Sequence, residues 1–347
     1  MDRFRLGQLL HRSRPGPVGE VAPWDRYGDV MNTRLPDALT AERVEWLPAE
    51  ASARRYARLH RPRGRPHRTL MAMLFHPATR PQEVDRVARA TQQLDAAGVP
   101  VPELVAWDGE ARWILQEDLG DVTLARARRD GQALAGAYSE AVALLETLAP
   151  LSLDTSPKPP LAKQRMRAEL QQFAVLALKL PEGPGAGLAD ELDQLAARCE
   201  QAPVALCHRD YHSRNLLLHD GRVRVIDHQD ALAGPACYDR VSLAYDPYVE
   251  LPDAIRDRIA GDGDQLPAVA LQRLAKAIGT FADKGGQWSA CITPAARQAR
   301  RLLSRGELAL PLLDLGLAAL ATGCAPLTAR APVSGRAAGT GSTRAAP

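Results

Sequence analysis

The stretch HRDYHSRNLLL (His208–Leu218), followed after the turn HDG (219–221) by RVRVID (Arg222–Asp227), decides how this chain is read. His208, Asp210 and Asn215 are spaced H-x-D-x-x-x-x-N, and the Asp-Gly pair of the turn favours a hairpin whose second strand ends in Asp227. Phosphoryl transfer has a use for such a set. Negative charge gathers on the γ-phosphate between attacking and leaving oxygens, so the protein must align a nucleophile and hold a divalent cation. A carboxylate on a constrained loop can orient a substrate hydroxyl and accept its proton, which makes Asp210 the candidate base, with His208 beside it as a pin for the loop. The side-chain oxygens of Asn215 and Asp227 suit Mg²⁺, which keeps few protein ligands beside phosphates and water. A second chemistry also draws on these residues: His208, Asp210, His212 and His228 as ligands of a hydrolytic metal site. That reading leaves Asn215 and the hairpin without a role.

Working outward, VEWLPA (44–49), YARLHRP (56–62), TLMAMLF (69–75) and RWILQEDLG (112–120) read as strands. A helix is expected after Phe75. Thr79 and Gln82 form a capping box, Pro81 sits in the first turn, and Val84, Val87, Thr91 and Leu94 share a face. VPVPEL (99–104) reads as a proline-stiffened connector. Beyond about residue 130 the pattern turns helical, with AGAYSEAVALLETLAPL (135–151) and AKQRMRAELQQFAVLAL (162–178) both amphipathic. The expected fold is α+β and two-lobed. Residues 1–40 form an extension, 41–119 a strand-rich N-terminal nucleotide-binding lobe, 120–327 a mainly helical catalytic and substrate lobe, and 328–347 a disordered tail.

Composition excludes several alternatives. A net charge of +3 over 347 residues gives no footprint for nucleic acid. Five cysteines without C-x-x-C spacing argue against a disulfide framework or a structural zinc and fit a reducing cytosol. The apolar segment 308–327 contains Pro311, Asp314 and two glycines, and reads as a packed C-terminal helix rather than a membrane span. A cytoplasmic enzyme with a small-molecule substrate is expected.

HRDYHSRNLLL together with VIDHQDALAGPACYDRVSL (225–243) resembles the aminoglycoside phosphotransferase and choline kinase superfamily, which has the protein-kinase-like fold. Within it the likeness is greatest to the bacterial anomeric amino-sugar kinases, which phosphorylate N-acetylmuramate and N-acetylglucosamine at C1 in cell-wall recycling. Their H-R-D-[YF]-H-S-R-N run, I-D-F-Q-D-A strand end and G-P-x-x-Y-D-x-x-S-L segment are similar to the residues here, and the likeness runs over roughly 43–325. The resemblance implies ATP and Mg²⁺ as cofactors, Asp210 as base, and Asn215 and Asp227 as metal ligands. It also implies that Asp239 buttresses the loop and that Gln229, Asp230 and His212 lie toward the substrate. For the nucleotide it implies Ser52, Arg54 and Arg55 near the phosphates, and the segment around Glu117 and Leu119 offering backbone groups to adenine.

The chain departs from the general kinase plan at one point. A strand lysine is expected on TLMAMLF, paired with a glutamate such as Glu83, yet no lysine precedes Lys158. Three readings stay open: an apolar residue of Met71-Ala72-Met73 in its place, an arginine (Arg54, Arg55 or Arg58) supplying the charge, or a weakened kinase that only binds. Further departures are His228 in place of an aromatic, Tyr245 in place of a basic residue, and Ala53 and Ala57 in place of aromatics. They leave another hydroxylated substrate open.

Overall fold

The computed structural model describes residues 39, 41–48, 54–64, 67–132, 134–153 and 160–323. Ser52 and Ala53 lie outside the described residues, as do nearly all of the expected N-terminal extension and the expected tail. Contacts divide the chain into two units. Among the described residues the first holds 39–121, 153 and 217–229, and the second holds 122–152, 160–216 and 230–323.

Runs of consecutive buried residues, Ala57–Leu59 and Leu70–Met73, form the middle of the first unit. Its strands are β1 (Arg43–Trp46), β2 (Arg54–His60), β3 (Thr69–Phe75), β4 (Leu104–Asp108) and β5 (Trp113–Glu117), and helix α1 (Pro81–Ala96) follows β3. They form one antiparallel sheet in the order β1-β2-β3-β5-β4. Register sets Arg58 opposite Met71 and Tyr56 opposite Met73. One side of the sheet closes on α1, where Met73, Phe75 and Ile114 pack with Val84, Val87 and Ala88. A smaller cluster gathers Leu39, Ala57, Leu59, Ala72 and Trp113. The expected capping box is not formed. Helix α1 begins at Pro81 with Arg80 as its N-cap and no side-chain cap. Arg80 instead donates to Glu83 at 2.7 Å, while the backbone N–H of Thr79 bonds the carbonyl of His76. VPVPEL is the connector expected, except that Leu104 already opens a fourth strand.

The hairpin is present as Leu216–His219 and Arg222–Val225, with Asp220 and Gly221 in left-handed conformation at its turn. It grips the proline connector: Val225 N–H donates to Pro100 O at 2.9 Å, and Arg224 Nη2 donates to Val101 O at 2.7 Å.

Helices carry the second unit: α2 (Leu124–Arg129), α3 (Ala135–Leu148), α4 (Lys163–Leu176), α5 (Ala186–Glu200), α6 (Tyr238–Ala244), α7 (Asp253–Ala260), α8 (Leu266–Lys284), α9 (Ile292–Leu303) and α10 (Pro311–Ala321). Two short strands outside the sequence expectation, Val204–Cys207 and Leu232–Pro235, pair antiparallel. The central seam is α4 against α8. There a Cβ on Gly279 would stand 3.0 Å from the Cα of Phe173, so only glycine lets the two backbones come this close. The apolar 308–327 segment supplies α10. Its first-turn N–H groups at Leu312 and Leu313 are taken by the Glu191 carboxylate at 3.0 and 2.8 Å. Among the described residues no helix is long and apolar enough to cross a membrane.

Candidate active site

In the second unit, the loop His208–Asn215 is held by carboxylates from beneath. Asp239, 3% exposed on α6, accepts the backbone N–H groups of His208 and Arg209 at 2.5 and 2.9 Å. Asp246, fully buried, does the same for Ser213 at 2.7 Å and Tyr248 at 2.7 Å. The three bonds from His208, Arg209 and Ser213 fix a loop backbone that is unfavourable for a side-chain-bearing residue, since Arg209 has φ 75°. The Arg209 side chain is anchored in turn by Glu169 of α4 at 2.6 Å. Burial pushes the carboxyl of Asp239 up, against the backbone donors that favour its charged form.

With the loop pinned, Asp210 stands partly exposed. Its Oδ1 accepts from Lys276 Nζ at 3.1 Å and lies 3.5 Å from Arg273 Nη2, both from α8. Burial opposes its ionisation, but the Lys276 and Arg273 charges prevail and hold the carboxyl well below the usual carboxylate range. The Asn215 amide donates its Nδ2–H to the backbone carbonyl of Asp210 at 2.9 Å, which fixes the amide plane. That bond uses the donor end of the amide, and an amide oxygen is a hard ligand of the type Mg²⁺ takes. His208 is 1% exposed and meets Tyr211 edge-on, which suits the pin expected of it. His212 is buried against Tyr248, and burial together with the neighbouring cations lowers it to about 3, so it is neutral at physiological pH. Asp230 acts electrostatically on Arg165 and Arg209.

In the first unit, Asp227 follows the hairpin with φ 65° and lies 3.4 Å from Arg54 Nη2 at the start of β2. Its carboxylate also accepts from the side chain of Gln229, whose backbone carbonyl is held by Arg86 at 3.1 Å. A partly exposed carboxylate flanked by a guanidinium has the chemistry of a metal–phosphate ligand. His228 is turned inward, 6% exposed, with Nε2 at 2.8 Å from Thr91 Oγ1. Because that hydroxyl donates to Val87 O, it accepts from His228, whose Nε2 therefore carries its proton. The hydrolytic set of His208, Asp210, His212 and His228 is thereby corrected. Among the described residues, no three His, Cys, Asp or Glu side chains gather as metal ligands.

The question of the missing lysine narrows. The strand-to-helix contact where an ion pair would run is apolar, Met73 against Val84 and Val87, and Glu83 is spent on Arg80. Arg58 is not available to a phosphate. It lies between Asp118 and Asp121, with bonds of 2.6 and 2.7 Å, and these raise its already high pKa against the cost of burial. Arg55 stacks over Trp46 at 4.4 Å. Of the three candidates, Arg54 is the one beside a predicted metal ligand. In the segment expected to meet adenine, the Glu117 side chain is engaged with Arg224 at 2.6 Å, and the Leu119 carbonyl accepts from His219 Nδ1 at 3.2 Å.

Sequence reasoning missed Lys276, Arg273 and Asp246. A signal existed for the first two: Gln272, Arg273 and Lys276 put a short polar stripe on a helix that is otherwise almost entirely buried and apolar.

A five-stranded antiparallel sheet with one helix, a helical second unit, and an H-x-D-x-x-x-x-N loop braced by buried aspartates define a protein-kinase-like enzyme. The chain belongs to the phosphotransferase enzyme family, which it matches over residues 43–275. It is 31% identical over 238 residues to the N-acetylmuramate/N-acetylglucosamine kinase of Pseudomonas aeruginosa, covering 64% of this chain and 68% of that one. To the protein of that name from Pseudomonas putida it is 31% identical over 245 residues, covering 69% and 70%. Among solved structures, Plasmodium vivax ethanolamine kinase superposes with a TM-score of 0.56 at 11% identity, over 77% of this chain and 84% of that one. That likeness concerns the fold.

Proposed function

We propose that the protein transfers the γ-phosphate of ATP to the anomeric hydroxyl of an N-acetylated amino sugar, N-acetylmuramate or N-acetylglucosamine, in the cytoplasm. The observation that carries the phosphotransfer reading is Asp210, held ionised on a loop fixed by Asp239 and Asp246. The names of the two Pseudomonas relatives support the sugar. Free thiols at Cys199, Cys207, Cys237 and Cys291 are in keeping with a reducing compartment.

In this reading Asp210 orients the sugar hydroxyl and receives its proton, and His208 holds the loop. Asn215 and Asp227 would hold Mg²⁺, which when bound neutralises charge on the β- and γ-phosphates. Arg54 takes over the phosphate contact that a strand lysine makes elsewhere. Backbone groups around Glu117 and Leu119 meet adenine. Asp230 and the neutral His212 face sugar hydroxyls, while Gln229 steadies Asp227.

The test is purified protein with ATP, Mg²⁺ and a panel of N-acetylmuramate, N-acetylglucosamine, plain hexoses and aminoglycosides. ADP release with loss of the sugar's reducing end is expected for one or both N-acetyl sugars. Folded protein that turns over neither would sink the sugar reading.

A further inference from the structure

The polar stripe on α8 has three members, and two of them have structural partners. Gln272 donates to Glu169 at 2.9 Å, and Arg273 donates to Ser242 Oγ at 3.0 Å. For Lys276, the ammonium's hydrogen-bond partner among the described residues is Asp210 Oδ1. Its side chain is only 18% exposed, on a helix where neighbours such as Ala275 and Ala277 are core. Sequestering an ammonium costs several kcal/mol unless it is paired, so packing alone would favour an apolar residue at 276.

Both cations of α8 converge on the same carboxylate oxygen, Oδ1, and among the described residues no hydrogen bond is made to Oδ2. We infer that Lys276 is a positioning residue for Asp210: it fixes Oδ1 and thereby leaves Oδ2 to receive the substrate hydroxyl. The inference rests on the phosphotransferase reading of Asp210 and adds a residue that the catalytic loop itself does not contain. In the transfer, the hydroxyl oxygen bonds to the γ-phosphorus, and the bond to the bridging oxygen breaks with its electron pair leaving on ADP. The hydroxyl proton passes to Asp210 Oδ2. A carboxylate free to rotate would present either oxygen, or neither, to the hydroxyl, and misorientation of this kind lowers kcat rather than substrate affinity.

The experiment compares Lys276→Met, which keeps length and apolar fit, with Lys276→Arg, which restores the charge. For Lys276→Met, kcat is expected to fall on the order of 100-fold, with KM for ATP and sugar within about 3-fold of the parent. Lys276→Arg should recover at least about 10-fold of that loss, and thermal melting of both variants should stay near the parent's. Three results would overturn the inference. One is an unchanged kcat in Lys276→Met. Another is a loss confined to KM for the sugar, which would make Lys276 a substrate ligand. The third is a lowered melting temperature with no rescue by arginine, which would make it structural. If the parent enzyme turns over no amino sugar, the sugar reading falls separately, and the same variants are compared on ATP hydrolysis to water. There too, an unchanged rate in Lys276→Met overturns the inference, and a parent with neither activity overturns both.

Discussion

The guanidinium of Arg58 joins Asp118, through Nε at 2.6 Å, to Asp121, through Nη2 at 2.7 Å. The group ties β2 to the segment after β5, and its charge is consumed there. Arg58→Met strands the nearly buried Asp118 carboxylate and should destabilise the protein by about 3 kcal/mol. Arg58→Lys, with one compact ammonium for two carboxylates, should cost about 1–2 kcal/mol. Chemical denaturation measures both. Arg54→Met should behave in the opposite way, with stability nearly unchanged and KM for ATP raised about 10-fold or more. A normal KM in that variant removes Arg54 from the phosphate site.

Acid should act through the same ion pair. Burial raises the Asp118 carboxyl, but its bonds to Arg58, Thr69 and Gly120 outweigh this and leave it below its ordinary value of 3.8. The native state therefore binds this proton less readily than the unfolded chain. The resulting stability is complete above the unfolded carboxylate pKa and is lost as pH falls through the depressed native value. Melting temperature should drop between about pH 5 and pH 3, and drop less in Arg58→Met. Parallel pH curves for the two proteins would contradict the assignment.

Asp210→Asn keeps the shape of the loop and removes the proton acceptor. Turnover should fall by roughly 10²–10⁴-fold with ATP binding nearly intact. Because Lys276 and Arg273 already hold Asp210 ionised, this carboxylate should contribute no acid limb to kcat around neutral pH. Full activity in the asparagine variant would refute the role.

Asp239→Ala leaves the backbone N–H groups of His208 and Arg209 without their buried acceptor. The expected cost is about 2–4 kcal/mol, with a loss of kcat from a slackened loop. Hydrogen exchange at these two amides is the direct measurement, and unchanged protection would count against the clamp.

Gly279→Ala pushes a methyl against the Phe173 backbone, which has no side-chain rotamer with which to yield. A loss of about 1–3 kcal/mol is expected from overpacking. Since α4 carries Glu169 and α8 carries Lys276, kcat should fall more than the stability change alone would give. A silent substitution would show that the seam can open without consequence.

The H-x-D-x-x-x-x-N loop stands out in the sequence because side-chain identity at fixed spacing carries chemistry, and the G-P-x-x-Y-D segment points to Asp239, which braces that loop. Helix α1 announces itself by period, and β3 as an unbroken apolar run. Other features had no local signature. Val204–Cys207 and Leu232–Pro235 are four residues each, too short for alternation to register. The Thr79–Gln82 capping box looked sound by spacing, yet Arg80 and Glu83 paired instead, a competition among adjacent side chains that spacing does not rank. The fate of Arg58 depended on carboxylates about sixty positions away, brought near by sheet register. For that reason the arginines before residue 60 looked equivalent in sequence, although their surroundings differ.

Arg209 and Asp227 both sit in the left-handed region, at φ 75° and 65°. A stability-guided redesign that scans for unfavourable backbone would nominate both for glycine, with an apparent gain of about 1 kcal/mol at each. At 209 the exchange would discard the anchor to Glu169, and at 227 the carboxylate beside Arg54. Computational thermostabilisation of this scaffold therefore has to exempt these positions, and a selection for heat resistance without a selection for turnover should drift toward glycine at both.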